Sequence, residues 1–581
     1  MLDTGVGPSM NGTEGDAEFW HSIDWRQEEE SVKRLRQRIY RAARAGNLKQ
    51  VRNLQKLMLR SRANTLTSVR RVTQQSTGKK TAGIDGVTAL DPEKRGRLAR
   101  QVIAVAEIPA TPVKRVHIPK ANGRTRPLGI PVIRDRVHQA RVKNALEPEW
   151  EARFEGRSYG FRPGRNCQDA IESIFKVIAK KDCRRPWVLD ADLSAAFDRI
   201  SHQHLMDSLG LFPGREQVRG WLRAGVMEQG TFAHTVEGTP QGGVISPLLL
   251  NVALHGMGDA IGANLPTGGK HMASPALVRY ADDFVVLCGT KEEAEDRRGE
   301  LAEWLAPRGL SFNEEKTRVV HLDEGFDFLG FNVRKYNDKA IIKPSKDAVQ
   351  RARKRIKETI RRHRGQPAEN LVDKLNPYVR GWSTYYRHVI SKETFGNLDT
   401  YTYWALRRWA LYCHPNKTGR WIRERYWGQH RKGRNDRWVF GNSDRHLTKF
   451  SWTPIVRHIA VKGDSSRDDP ALEDYWRNRA RKRMPSVESK RILAMADRQK
   501  GLCPRCGQDL IEGAGYDPDD VRDWARWFTA SYRGVHVHHL TYRSKGGSDH
   551  PSNLELIHTL CHRQLHAGDR RKDLNSGQKP A

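Results

Sequence analysis

Two adjacent carboxylates, Asp282 and Asp283, stand between two apolar runs of the sequence. Residues 277–278 and 284–287 are apolar, which predicts two short strands that meet at a hairpin tip. Carboxylates this close repel each other and favour binding of a divalent cation. Primer-extending enzymes need such a site, because one metal must lower the pKa of a 3′-hydroxyl while another neutralises the departing pyrophosphate. For this motif alone, a plain Asp-Asp turn is the simpler alternative.

A second acidic strand end lies upstream. Residues 187–193 predict a buried strand that carries Asp192 near its end, and residues 194–202 then open a helix. Three acids carried by two strands could share one pair of ions. This chemistry requires that acidic groups far apart in sequence converge in the folded chain.

Three ordered blocks resemble the reverse transcriptases of group II introns. Residues 192–197 are similar to the first catalytic block of that family, residues 239–251 to its nucleotide-pocket block, and residues 280–283 to its second catalytic block. The resemblance implies a right-hand polymerase with fingers and palm. It also implies that two Mg²⁺ ions are held by Asp192, Asp282 and Asp283.

Residues 118–131 have the form of a basic turn between two strands. Lys120 and Arg126 could grip a triphosphate, Arg through paired hydrogen bonds and Lys as a point charge, or they could be solvated loop charges. The resemblance favours the triphosphate. It further implies that Gln241 lies against an incoming dNTP and that Phe197 lies beneath its sugar, where the ring would crowd a 2′-hydroxyl.

The charge balance indicates a nucleic-acid partner. The 581 residues include 102 Lys plus Arg and 68 Asp plus Glu, a formal net charge of +34, and this potential would hold phosphate backbones. A protein of membrane surfaces could also be this basic, but no apolar run reaches the ~18 residues of a membrane span. The first 18 residues do not have the pattern of a signal or transit peptide. We therefore expect no membrane partner and a cytoplasmic, nucleoid-associated protein of bacterial or organellar coding.

Basic helices are predicted before and after the region that carries the polymerase-like blocks. Residues 32–45 and 48–61 have apolar positions at helical spacing, and they resemble the N-terminal extension of the intron-encoded family or form a plain basic helical pair. Residues 346–364 predict a helix with charges on every face that continues through 371–386, followed by 401–409.

Aromatic and cationic residues alternate in this second helical region, which resembles the maturase or thumb region of intron proteins. It would bind the intron RNA. Either core packing or RNA contact could explain the aromatic side chains of Tyr385, Tyr386 and Trp404. Residues 431–491 are basic and weakly periodic. By position they resemble the DNA-binding region of the family.

A separate chemistry is predicted at the C-terminus. Two Cys-x-x-Cys or His-x-x-Cys pairs could form a tetrahedral structural zinc site in a segment too small to bury much core. The four ligands would be Cys503, Cys506, His558 and Cys561.

Further histidines between and after these ligands resemble an HNH endonuclease, a β-hairpin held against a helix around one ion. The resemblance implies His539 as the general base, with Asn553 fixing its orientation. The resemblance also implies that His538 and His562 bind a divalent ion, expected to be Mg²⁺, with His566 as a possible third ligand. A zinc-stapled module that only binds DNA is the alternative.

The combined expectation is a multidomain α+β protein encoded by a group II intron. It would copy intron RNA into DNA, assist splicing as a maturase, and nick target DNA to expose the primer. The alternatives are a non-catalytic splicing factor and another class of bacterial reverse transcriptase; the sequence leaves the oligomeric state open. The expected divisions are 1–90 (N-terminal extension and start of fingers), 91–336 (fingers and palm), 337–430 (α-helical thumb or maturase domain), 431–495 (DNA-binding region) and 496–581 (ββα-metal HNH module).

Overall fold

The computed structural model describes residues 14–105, 109–119, 125–181, 183–263, 275–431, 433–483, 490–510, 535–542 and 546–566. Within these ranges, helices and strands are mixed along the chain, as expected for a multidomain α+β protein. None of the described helices combines the length and apolar character that crossing a membrane requires.

The helices, numbered in chain order, are α1 Glu14–Ser22, α2 Trp25–Arg44, α3 Leu48–Arg60, α4 Arg62–Arg70, α5 Pro92–Ala104, α6 Ile133–Glu151, α7 Cys167–Ile178, α8 Ala196–Arg199, α9 His202–Leu209, α10 Arg215–Arg223, α11 Ser246–Ala253, α12 Met257–Ala260, α13 Lys291–Leu305, α14 Lys346–Arg362, α15 Ala368–Tyr386, α16 Lys392–Cys413, α17 Gly419–Tyr426, α18 Glu473–Arg483, α19 Lys490–Arg498 and α20, residues 559–566.

The strands are β1 Val113–Pro119, β2 Thr125–Ile130, β3 Trp187–Asp192, β4 Val226–Glu228, β5 Thr231–Ala233, β6 Ala276–Tyr280, β7 Asp283–Cys288, β8 Arg318–His321, β9 Phe326–Phe328, β10 Phe331–Tyr336, β11 Lys339–Pro344, β12 Trp427–Gly428, β13 Val439–Phe440, β14 Val535–His539 and β15 Leu554–His558.

The N-terminal helices form because local signals agree with the apolar spacing. The Asp24 carboxylate accepts hydrogen bonds from the first backbone amides of α2, and Asn47 does the same for α3. The two predicted helices are confirmed, although α2 begins at Trp25, earlier than the sequence pattern indicated. Both helices pack on α6, whose side chains are almost all buried.

The sheet of the fingers has the strand order β2-β1-β4-β5. Its β1–β2 pair is antiparallel, as the sequence predicted for a basic turn between two strands. The residues of that turn, including Lys120, lie outside the described ranges.

The palm is a second four-stranded sheet, in the order β6-β7-β3-β8, with all neighbours antiparallel. Alternate side chains enter two different cores, because successive residues of a strand point to opposite faces. One face, with Leu277 and Val286, packs on α13, while the other, with Val278 and Val285, packs on α7 and continues into the thumb. The predicted hairpin is confirmed, since Tyr280 pairs with Asp283 across a two-residue turn.

The thumb differs from the sequence expectation in two ways. The predicted continuous helix is wrong, because α14 ends at Arg362 and α15 begins at Ala368. Gly365 has a φ of +74°, and Pro367 disfavours helical backbone at the residue before it, so the chain breaks here. The expectation of charges on every face is also wrong, because α14 buries a stripe at four-residue spacing, Ala348, Ala352, Ile356 and Ile360.

Residues 453–483, which we call the strap, run from the thumb back to the palm and the N-terminal helices. The strap carboxylate of Asp468 accepts two hydrogen bonds from the buried Arg36 guanidinium of α2. His458 and Arg479 of the strap both contact the fully buried Asp169 at the start of α7. Several charges in this segment therefore bind the protein itself.

Candidate active sites

The three predicted carboxylates of the palm lie at one end of its sheet. Asp192 ends β3, Asp283 begins β7, and the two residues are direct partners in the antiparallel register. Asp282 lies in the turn just before Asp283. Because direct partners in an antiparallel pair have Cα atoms about 4.5–5.5 Å apart, the acidic residues converge from distant parts of the chain.

Mutual repulsion and burial shape this acidic cluster. Burial and the Asp282 and Asp192 carboxylates hold the pKa of Asp283 well above its usual range, and burial followed by Asp192 raises the pKa of Asp282. The ammonium of Lys316 forms an ion pair with Asp192, and Asn313 donates a hydrogen bond of 3.4 Å to the same oxygen. Carboxylates that repel each other fit the oxygen-rich donor set that Mg²⁺ prefers.

Buried groups hold the turn that carries Asp282 in place. Ala281 has a φ of +59°, an uncommon conformation for a residue with a side chain. The buried Arg279 guanidinium donates hydrogen bonds to the Ala281 carbonyl (3.5 Å) and to Asn251 (3.2 Å), and Glu155 lies at 3.8 Å. Gly160 packs so closely on this turn that a Cβ there would lie 2.3 Å from the backbone nitrogen of Ala281.

The structure brings three of the four predicted nucleotide-binding residues into one neighbourhood. Arg126 on β2 donates a 2.7 Å hydrogen bond to Gln241, and its charge partly opposes the rise in the pKa of Asp282. The backbone of Thr239, two residues before Gln241, donates a 2.6 Å hydrogen bond to the Phe197 carbonyl. The fourth residue, Lys120, lies outside the described residues.

Sequence reasoning missed Lys316 and the role of Arg279. Lys316 lies in a loop three residues after Asn313, and the signal that was available is chemical: three converging carboxylates require a nearby cation. Arg279 directly precedes the 280–283 block, but its partners Glu155 and Asn251 are remote in sequence, so its burial had no local signal.

The four predicted sulfur and imidazole ligands of the C-terminal module form one buried cluster, whose ligand atoms all lie within 4.8 Å of one another: Cys503, Cys506, His558 and Cys561. The Nδ1 atom of His558 lies 3.3 Å from the Cys506 sulfur and 3.9 Å from the Cys561 sulfur. This donor set and its compactness fit a tetrahedral metal such as zinc.

A second cluster contains His538, His562 and His566, with ligand atoms again within 4.8 Å of one another. His538 comes from β14, while the other two come from consecutive turns of α20, where their Nε2 atoms are 3.1 Å apart. Strands β14 and β15 are antiparallel, so the hairpin and helix have the expected ββα arrangement.

The structure corrects the predicted partner of His539. The His539 ring forms a 2.7 Å hydrogen bond with Asp549, which the sequence analysis did not single out. The Asn553 side chain instead accepts from the Thr541 amide (2.8 Å) and donates to the Thr541 and Ser548 carbonyls. Asn553 therefore fixes the loop after β14, because its short side chain reaches that backbone, and Asp549 orients the imidazole.

The thumb aromatics separate clearly by burial. Tyr385 and Tyr386 are fully buried, and their hydroxyls donate to the carbonyls of Leu329 and Gly330. Trp404 is 48% exposed and lies under the Arg407 guanidinium at 5.4 Å. The two tyrosines are core residues, and Trp404 is the one of the three that is available for RNA.

Comparison with known families gives four matches in chain order. They are "N-terminal domain of reverse transcriptase" (residues 20–102), "Reverse transcriptase (RNA-dependent DNA polymerase)" (118–333), "Group II intron, maturase-specific domain" (349–427) and "HNH endonuclease" (526–568).

Two curated relatives illustrate the extent of the similarity. Protein YkfC of Escherichia coli K12 is 35% identical over 311 residues, which is 47% of this chain and 81% of that protein. The group II intron-encoded protein LtrA of Lactococcus lactis subsp. cremoris is 28% identical over 284 residues, 38% of this chain. The chain thus matches most of YkfC but about half, 47%, of the length of LtrA.

Among solved structures, telomerase from Candida albicans is 14% identical and has a TM-score of 0.31, over 55% of this chain and 61% of that one.

Proposed function

Because the chain belongs to the group II intron-encoded proteins and carries their reverse transcriptase, maturase and HNH endonuclease domains, we propose that it copies intron RNA into DNA from a nicked target strand. The observation that carries this proposal is the register pairing of Asp192 with Asp283 beside Asp282. We assign DNA synthesis to residues 91–336, RNA binding to 1–90 and 337–430, target-DNA binding to 431–495, and nicking to 496–581.

In the palm, Asp192, Asp282 and Asp283 would hold two Mg²⁺ ions. When bound, these ions supply the charge that makes the primer 3′-hydroxyl a better nucleophile and neutralises the pyrophosphate. Lys316 forms an ion pair with Asp192, so its ammonium would offset part of the negative charge of the acidic cluster. Arg279 keeps the turn that carries Asp282 in one conformation.

The nucleotide pocket would lie between β2 and the 239–243 loop. Arg126 and Lys120 would bind the triphosphate, with Gln241 positioned by its hydrogen bond to Arg126. Phe197 is 5% exposed and packs edge-on against Phe161, which restrains its ring. A ring fixed in this way would crowd a 2′-hydroxyl, so dNTPs would be preferred.

The thumb and N-terminal helices would bind the folded intron RNA and thereby assist splicing. Exposed aromatic side chains with neighbouring guanidinium groups suit stacking on bases, as Trp404 with Arg407 and Tyr412 with Arg364 show. With RNA and chromosomal DNA as partners, the protein would work in the cytoplasm beside the nucleoid.

In the nuclease, His539 would activate a water molecule as general base, with Asp549 holding its ring. His538, His562 and His566 would bind the divalent ion of this site. Three neutral imidazoles suit a transition metal better than Mg²⁺, which prefers oxygen ligands, so this donor set departs from the sequence expectation of magnesium. The Cys₃His cluster would bind a structural Zn²⁺.

Primer extension on an RNA template with dNTPs and Mg²⁺ tests the polymerase. Asp282→Ala should lower the rate by about 100-fold or more, since several kcal/mol of charge stabilisation is lost. Asp296→Ala, on an exposed position of α13, is the matched control and should extend at the wild-type rate. Equal extension by wild type and Asp282→Ala would contradict the assignment of polymerase activity to this carboxylate site. Absence of extension in both proteins at any Mg²⁺ concentration would favour a non-catalytic splicing factor.

Nicking of a target duplex by the RNA-loaded protein tests the endonuclease. His539→Ala should abolish nicking and leave cDNA synthesis intact, whereas Asp282→Ala should do the reverse. Loss of both activities in His539→Ala would contradict the assignment of two separable sites.

A further inference from the structure

The sulfur cluster of the endonuclease module shares one hydrophobic core with the N-terminal helices. Leu66 and Val69 of α4 belong to the same buried cluster as Trp25 of α2 and the sulfur ligands Cys503 and Cys561. The N-terminal extension therefore supplies part of the cover of the sulfur cluster.

Arg70, the last residue of α4, is the polar centre of this interface. Its side chain is 1% exposed, and one terminal nitrogen lies 3.2 Å from the Cys561 sulfur. The guanidinium also lies over the Trp25 ring at 4.7 Å and 3.5 Å from Glu29. Among the described residues, its Nε atom has no hydrogen-bond partner.

Two further contacts fix the same interface. Gln564, between His562 and His566 on α20, donates a 3.1 Å hydrogen bond to the Ile23 carbonyl at the start of α2. Gln75 donates to Gln508, two residues after Cys506, at 3.0 Å. The helix that bears two of the nuclease histidines is therefore tied to the N-terminal extension as well.

Charge makes this contact dependent on metal. A divalent ion bound by three thiolates and a neutral imidazole has a net charge of −1, and the sulfur of one of these ligands, Cys561, lies 3.2 Å from the Arg70 guanidinium. Arg70 stays charged in both states, because its guanidinium does not deprotonate in proteins. Metal loading would therefore hold an anionic cluster in one position against the buried Arg70 cation.

We propose that Arg70 of the reverse transcriptase extension is the charge partner of the metal–thiolate cluster, so that metal occupancy of the HNH module is coupled to its docking on helices α1, α2 and α4. The proposal rests on the structural metal site proposed above. By linkage, the coupling acts in both directions: docking strengthens metal binding, and metal loss weakens docking. Arg70 is a positioning residue, since it would touch a ligand and not the ion.

Zinc release from the full chain to a colorimetric chelator tests one direction. Arg70→Gln should release zinc about 10-fold faster than wild type, the scale on which residues behind metal ligands act. Arg71→Gln is the matched control, because Arg71 is the next residue and is exposed, and its release should equal that of wild type. Arg70→Lys, which keeps the charge, should fall between the two. Equal release from Arg70→Gln and Arg71→Gln would overturn the proposal.

Hydrogen–deuterium exchange of the wild-type chain tests the other direction without any substitution. Removing zinc should speed amide exchange in α4 and at the α1–α2 junction, and leave the thumb helix α16 unchanged. Unchanged exchange in α4 after complete zinc removal would overturn the coupling while leaving the metal site intact. A wild-type chain that holds no zinc would overturn the metal site and the coupling together, and primer extension would then report separately on the polymerase.

Discussion

The palm and the HNH module each bring together polar side chains that could bind a metal ion, but the two regions position these side chains by different means. The palm places its carboxylates at the end of a four-stranded sheet whose two faces are covered by separate cores. The HNH module has a two-stranded hairpin, one helix of eight described residues, and a core that includes its own cysteines.

This difference separates two uses of a metal ion. In the palm, the fold exists first and forces acids together, so the ions relieve repulsion that the fold has created. In the HNH module, a two-stranded sheet is marginal alone, so a bound metal would supply stability that the small core lacks. Substitutions of metal ligands should therefore damage activity in the palm and folding in the HNH module.

The largest effect is expected from Cys503→Ser. Loss of a thiolate should remove most of the structural metal affinity, and the binding free energy of such sites, about 10–16 kcal/mol in small zinc modules, is also folding free energy. We expect loss of the zinc, loss of nicking, and rapid amide exchange in β14 and β15, with primer extension retained. Exchange and zinc content measured on the same preparation check this.

Cys413→Ser is the control for that experiment. Cys413 is half-buried at the end of α16 and belongs to the thumb, far in sequence from the cluster. It should keep full zinc content and exchange protection. Protected β14 and β15 amides in zinc-free Cys503→Ser would show that the module folds without metal. This result would contradict the proposed difference between the palm and the HNH module.

In the palm, Asp283→Asn should reduce activity without reducing the stability of the fold, in contrast to Cys503→Ser. Primer extension should fall by about 100-fold or more, because a metal ligand becomes neutral. Stability without Mg²⁺ at neutral pH should be unchanged or higher. The raised pKa of Asp283 means that the folded state binds the proton of this carboxyl more tightly than the unfolded state does. Wild-type stability therefore falls as the pH rises from the unfolded-state pKa through the folded-state pKa. The neutral amide of Asp283→Asn does not titrate and so avoids this loss.

Thermal unfolding of the two proteins at several pH values checks the effect on stability. Their melting temperatures should converge in acid, where Asp283 is protonated in both the folded and unfolded states. A variant that melts well below wild type at neutral pH would show that this carboxylate supports the fold.

Gly160→Ala disturbs the palm site without touching a ligand. The new Cβ would lie 2.3 Å from the Ala281 nitrogen and 2.9 Å from the Tyr280 carbonyl carbon, so the turn that carries Asp282 must shift. A displacement of about 1 Å can reduce a rate by ~100-fold. We expect primer extension to fall by that order while nicking remains, measured in parallel on one preparation.

Gly299→Ala is the matched control on the exposed face of α13, where the added Cβ meets nothing within 4 Å. It should extend normally and gain up to about 1 kcal/mol of stability, because alanine favours a helix. If Gly160→Ala also extends normally, the turn tolerates displacement and its close packing has no catalytic role.

What the sequence could predict depended on whether the signal was local. The palm hairpin was predictable, since two apolar runs flank a short polar tip, and its strands are those observed. The buried stripe of α14 was also visible in the spacing of Ala348 and Ile356, although the many charges obscured it. The break after α14 could have been predicted from Gly365 and Pro367, two residue types that commonly end helices.

Contacts between distant segments could not be predicted in this way. Asp549 lies ten residues after His539 in a polar loop, and nothing in its neighbourhood distinguishes it from a solvated acid. Arg70 is one of many basic residues, and its burial against Cys561 depends on how two modules pack. Chemistry indicated which ligands could share a metal, but only tertiary packing shows which side chains support them.

We expect the smallest effect from Gly547→Ala. Like Gly160→Ala in the palm, it adds a Cβ against neighbouring backbone, but in the HNH module. Its new Cβ would meet the Thr541 carbonyl oxygen at 1.8 Å, in the loop that Asn553 fixes after β14. Because Thr541 is exposed, its backbone can shift with less disruption of packing than the buried palm turn, so we expect a cost of about 1–3 kcal/mol and nicking reduced by about 10-fold. Zinc content should be unchanged, because the strain lies away from the cysteines. A loss of zinc in this variant would mean that the histidine and cysteine clusters fold as one unit, and that the HNH module depends on its metal throughout.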